Sequence, residues 1–138
     1  MEISARVCNA AGDHRVVVAT GGATQSLAIA ARSEGSGSAV NGGELLMLAL
    51  ATCYCNDVYR EAARMNIEVV SVEVEARCDF TGIGLGAANV RYRVRIESPV
   101  SEADVEALLE RTDSVAEVHN TLRAGAQVVR EPWERRDA

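Results

Sequence analysis

Lysine is missing altogether: all 14 basic residues among the 138 are arginine. Schiff-base and pyridoxal-phosphate chemistry therefore lack their amine, and a P-loop lacks its lysine. Aromatic residues make up only 4% of the chain, so the core must come mainly from Leu, Val, Ile and Ala. At 48% hydrophobic the chain has enough of these for one domain. Positive charge is in deficit, with a formal charge of -6 and a pI of about 4.9. Nucleic acid and anionic membranes repel such a chain, and neither is an expected partner. The longest apolar run, Leu45 to Ala51, is too short for a bilayer. No basic segment leads into an apolar stretch at the N-terminus, so a signal peptide is not expected and a cytoplasmic location is. In that compartment Cys8, Cys53, Cys55 and Cys78 are expected as free thiols.

What is present has a clear order. Alternating apolar and polar residues in Arg15 to Thr20 and in Gln25 to Ala30, punctuated by Gly12-Asp13 and Gly21-Gly22, predict three N-terminal strands. A Gly/Ser-rich loop follows, with Asn41 available to cap a helix running from Glu44 to about Met65. The first half of that helix is apolar nearly all round, which marks a buried helix, and the half after Asn56 is amphipathic. "IEVVSVEVEARCDF" and "NVRYRVRIESP" alternate as two long strands of a hairpin. "SEADVEALLERTD" predicts a helix capped by Ser101, "SVAEVHNTL" a short further helix, and "AQVVREPW" a closing strand. The expected order is β-β-β-α-β-β-α-α-β: a single α+β domain over residues 1–138, with mostly antiparallel sheets around one long central helix.

"GGELLMLALATC" leading into a long helix, "VEVEARCDF" on a strand and "AEVHNTLRAG" near the end together resemble the OsmC/Ohr family. The resemblance runs from about Thr24 to Val129. It implies an intertwined homodimer whose two central helices lie between sheets from both chains, and thiol-dependent reduction of organic hydroperoxides in oxidative-stress defence. Cys53 aligns with the peroxide-attacking cysteine. The family's second cysteine aligns with Ala116, and its catalytic Glu with Gly43, one residue before Glu44. Its Arg comes from the N-terminal strands, where Arg6 and Arg15 lie outside any matching motif. Glu44 and Arg15 are therefore weak catalytic candidates. No cofactor or metal is implied.

The residues themselves predict a sluggish thiol. Cys53 lies more than two turns into its helix, where the macrodipole has faded, and Asp57 at i+4 places a like charge on the same face. Arg60 at i+7 offsets that only in part. Cys55 points to the opposite side of the helix, so a thiol that resolves oxidised Cys53 would be Cys78 or an external small thiol. A metal site built from Cys53, Cys55 and His119 would need ligands that C-x-C on a helix splays apart. Two functions stay open: a Cys53 peroxidase, and a non-catalytic dimer holding a small apolar ligand in a cleft lined by Leu46, Leu50 and Cys53.

Overall fold

The computed structural model describes residues 1–133. Its elements are β1 (Ile3–Ala10), β2 (Asp13–Thr20), β3 (Ala23–Leu27), α1 (Gly42–Arg64), β4 (Ser71–Asp79), β5 (Ala88–Glu97), α2 (Glu102–Val115) and α3 (Glu117–Ala124). The chain forms two compact units, residues 1–47 and the chain from residue 48 onward, with α1 beginning in the first and continuing in the second.

The first unit is an antiparallel sheet in the order β1-β2-β3. Both of its hairpins turn on two residues, Ala11-Gly12 and Gly21-Gly22, and all four have positive φ. That is the backbone hand that matches strand twist, and it is why glycine fills three of the four places. Val16 is its one buried hydrophobic side chain, while Ile3, Val7 and Leu27 stand in the open. Asn41 caps α1: its side-chain oxygen accepts the Glu44 N–H at 2.8 Å, and its amide donates to the Glu44 carboxylate at 2.9 Å.

In the second unit β4 and β5 form an antiparallel hairpin. Alternation sorts its faces. Val72, Val74, Tyr92, Val94 and Ile96 pack on a cluster of Tyr54, Val58, Ala62, Leu108 and Ala116. The outer face pairs Glu75 with Arg93 at 2.9 Å and Glu73 with Arg95, each directly across the strands. The buried stripe of α1, Leu50, Tyr54, Asp57, Val58, Glu61 and Ala62, follows the three-and-four spacing of a helix face. Leu45 and Leu48, from the apolar first half, remain exposed in the single chain. Ser101 caps α2 by accepting the Asp104 N–H at 3.2 Å.

One expected element is absent. Residues 125–133 form no strand, and Val128 and Val129 are largely exposed. An alternating pattern becomes a strand only where another edge accepts its backbone groups, and Pro132 removes one donor from this one.

Glu61 is the more deeply buried of the two carboxylates on the inner stripe of α1, with its side chain 1% exposed. Arg60 lies 3.1 Å from it, Arg111 3.4 Å and Arg64 3.6 Å. Burial works to raise its pKa, but hydrogen bonds from Arg60 and Arg111 and the charges of Arg64 and Arg111 outweigh it and hold the carboxyl below its ordinary value. A depressed acid contributes stability that is complete above the unfolded-state pKa and is lost as pH falls through the folded one. Glu61→Gln is therefore expected to flatten the acid limb of stability below about pH 4.3. Urea unfolding followed at a series of acid pH values checks this, and an unchanged limb would assign the acid sensitivity elsewhere.

Candidate functional site

Cys53 sits half-buried on α1, one turn before Asp57. Its thiol donates to Asp57 Oδ2 at 3.6 Å and approaches Glu117 Oε2 at 4.0 Å. Two helices build this cluster. The i,i+4 spacing brings Asp57 to the sulfur, and α3 brings Glu117, which opens that helix directly after the fully buried Ala116. The first turn of α3 also turns the Val118 N–H towards the sulfur.

These neighbours pull in opposite directions. Burial is the largest influence and raises the Cys53 thiol above its ordinary pKa. The Val118 N–H lowers it, and the Asp57 and Glu117 carboxylates raise it again. The balance leaves a thiol. Arg60 is held by the same acids, 2.9 Å from Asp57 and 3.6 Å from Glu117, as well as by Glu61. Asp57, 5% exposed, is pushed up by burial and by the Glu117 charge, with Arg60 opposing.

Among the described residues the one group of three candidate metal ligands is Cys53, Asp57 and Glu117, whose donor atoms lie within 4.8 Å of one another. The Arg60 guanidinium already supplies the cation there. Cys55 and His119 are not part of that group.

The other residues singled out from sequence are placed as follows. Glu44 is bound to Asn41 in the α1 cap, and Gly43 lies beside it in the first turn. Arg15, on β2, forms an exposed pair with Asp13 at 3.0 Å. Cys78 is a half-buried free thiol on β4. Leu46 is half-buried on α1, and Leu50 is 2% exposed. Sequence reasoning found Asp57 but missed Glu117 and the Val118 N–H. The available signal was position: Glu117 directly follows Ala116, already aligned with the second cysteine.

Beside this cluster the ring of Tyr54 lies 4.8 Å from that of Tyr92, and Tyr92 stands edge-on to His119 at 4.6 Å. Tyr54 donates its hydroxyl to the Leu109 carbonyl at 2.8 Å, and burial pushes its pKa up to about 12. Tyr92 donates to Asp113, which Arg123 also holds at 2.8 Å. Asn120 donates to the Ser114 carbonyl in the last turn of α2, and the Thr121 hydroxyl bonds back to the Glu117 carbonyl one turn earlier in α3.

The family profile described as OsmC-like protein matches residues 35–130. Among solved structures, the OsmC-like protein of Mycoplasma pneumoniae superposes with a TM-score of 0.65 at 18% identity, over 90% of this chain and 87% of its own. An organic hydroperoxide resistance protein OsmC of Legionella pneumophila gives 0.60 at 17% identity, over 89% and 90%. A putative organic hydroperoxide resistance protein of Vibrio cholerae, with captopril in one of its active sites, gives 0.60 at 17%, over 91% and 86%. No curated protein sequence matches significantly. At these identities the structures speak for the α+β fold, while the profile covers most of the sequence. No helix among the described residues is long and apolar enough to cross a membrane. The chain belongs to the OsmC-like protein family.

Proposed function

We propose that this chain acts in the cytoplasm as a homodimer whose Cys53 reduces organic hydroperoxides slowly, through a one-cysteine cycle. The observation that carries this reading is the half-buried Cys53 sulfur facing the first turn of α3, where the Val118 N–H favours its ionised form. The dimer is supported by the first unit, whose sheet buries only Val16 and leaves Ile3, Val7 and Leu27 in need of cover.

In the reaction the thiolate attacks the distal peroxide oxygen and the O–O bond breaks. The alkoxide leaves as an alcohol after taking a proton, and Cys53 becomes a sulfenic acid. With Ala116 in place of a second cysteine, a small external thiol condenses with the sulfenic acid and releases water. A second such thiol then displaces Cys53 from the mixed disulfide. Burial first, and then the two carboxylates, slow the attack by holding the sulfur as a thiol at neutral pH.

Cumene hydroperoxide turnover with a dithiol reductant tests this between about pH 6 and pH 10. The expected result is slow turnover at neutral pH, a rise with pH until the thiol is ionised, and loss in Cys53→Ser. Turnover unaffected by the substitution would overturn the role of Cys53, and turnover absent at every pH would leave a non-catalytic relative.

A further inference from the structure

The second unit contains a cleft of about 450 Å³ that Cys53 does not line and that shares only Leu50 with the cleft expected from sequence. Leu50, Val90 and Leu122 form apolar wall, and the rings of Tyr92 and His119 complete it. Its charged lining is two guanidiniums, Arg91 and Arg123, with no carboxylate, in a chain that carries 20 acids against 14 arginines.

His119 sets this cleft apart from an ordinary surface hollow. The residue is 4% exposed, and among the described residues neither of its ring nitrogens meets a hydrogen-bond partner. Buried polar groups are almost always satisfied, and one that is not calls for an absent partner. Burial, and then the nearby Arg123 charge, lower its pKa, with Asp113 opposing, so the ring is neutral and offers one N–H donor. The two guanidiniums are engaged only in part. Arg123 holds Asp113 at 2.8 Å and Asn120 at 3.3 Å, while Arg91 donates to the Asn89 carbonyl at 2.8 Å and lies 3.6 Å from Asp79. Each fork has five N–H donors, more than these contacts occupy.

We propose that this cleft binds a small monocarboxylate with an apolar body: the carboxylate meets Arg123 and Arg91, the body lies on Leu50, Val90 and Leu122, and His119 gives its ring N–H to the ligand. Both nitrogens are shielded, so this contact requires the ring to turn about its Cβ–Cγ bond on binding. A cleft of this size suits a small molecule, and apolar walls with few converging polar groups are the usual make-up of such sites. Binding requires no ionised sulfur, so it stands independently of peroxide chemistry.

The test uses 4-phenylbutyrate and its uncharged counterpart 4-phenylbutanol, titrated calorimetrically into the full-length protein, with the His119 ring nitrogens followed by NMR. The expected result is saturable binding of the acid, at least about tenfold tighter than the alcohol, as a charge-assisted contact gives. The His119 nitrogen signals shift, and Arg123→Gln removes the preference for the acid while leaving the alcohol unchanged. Arg91→Gln, which leaves the Arg123–Asp113 pair in place, weakens the acid in the same direction and serves if Arg123→Gln fails to fold. Cys53→Ser binds like the parent, which separates this site from the thiol reading. No saturation at millimolar acid, equal binding of acid and alcohol, or unmoved His119 signals would overturn the proposal.

Discussion

Asp57→Asn is expected to lower the pH midpoint of Cys53 alkylation and to raise its alkylation rate at neutral pH about three- to fivefold. The argument is one of charge at short range. Asp57 Oδ2 lies 3.6 Å from the sulfur on a residue 5% exposed. At an effective dielectric of about 20, two unit charges that close repel by about 4–5 kcal/mol. The sulfur is only half-buried, so water screens a large part of this. Asparagine keeps the shape and an oxygen for Arg60 but removes the charge, which leaves the guanidinium freer to favour the thiolate. Because nucleophilicity falls with pKa, the alkylation rate at neutral pH rises less than the ionised fraction. Glu117→Gln acts in the same direction but more weakly, since Glu117 is 4.0 Å away with its side chain 70% exposed. A midpoint unmoved or raised in Asp57→Asn would remove the carboxylates as the cause of low reactivity.

Leu108→Ala is expected to cost about 2–5 kcal/mol of stability. Leu108 is fully buried and joins Tyr54, Val58, Ala62 and Ala116 in the cluster that ties α2 to α1 and the hairpin. Its backbone is fixed as well, with the Thr112 hydroxyl donating to the Leu108 carbonyl at 2.7 Å, so the site has little freedom to collapse around the void. Urea unfolding of the variant measures the loss. Ile83→Ser, at a wholly exposed loop position, is the control and is expected to stay within about 0.5 kcal/mol. A loss below about 1 kcal/mol at Leu108 would mean that the cluster is looser than its burial implies.

Much of this architecture could be read from the chain itself. Helix α1 was expected from Glu44 to about Met65 and runs Gly42–Arg64, because Asn41 and the two glycines mark its start and the apolar spacing carries it through. The hairpin of β4 and β5 was legible because every second residue faces the core. The expected strand over 126–133 failed because alternation states a preference, while pairing needs an edge elsewhere in space. Around Cys53 the same divide holds. Asp57 is visible from helix spacing alone, whereas Glu117 lies 64 residues away and reaches the sulfur only through the packing of α3. The unsatisfied His119 was equally hidden, since only three-dimensional surroundings reveal that its ring meets no partner among the described residues.

The acid flank of Cys53 also sorts the molecules able to restore it. In the proposed cycle, with Ala116 where a second sulfur would stand, oxidised Cys53 draws its reducing equivalents from solution, and the incoming thiol meets Asp57 and Glu117. Contact distances lie well inside the ionic screening length of about 8 Å, so the two carboxylates, only partly offset by Arg60, disfavour an anionic thiol relative to a neutral or cationic one. In that cycle the composition of the small-thiol pool governs the reductive half, as ionisation of Cys53 governs the attack on peroxide.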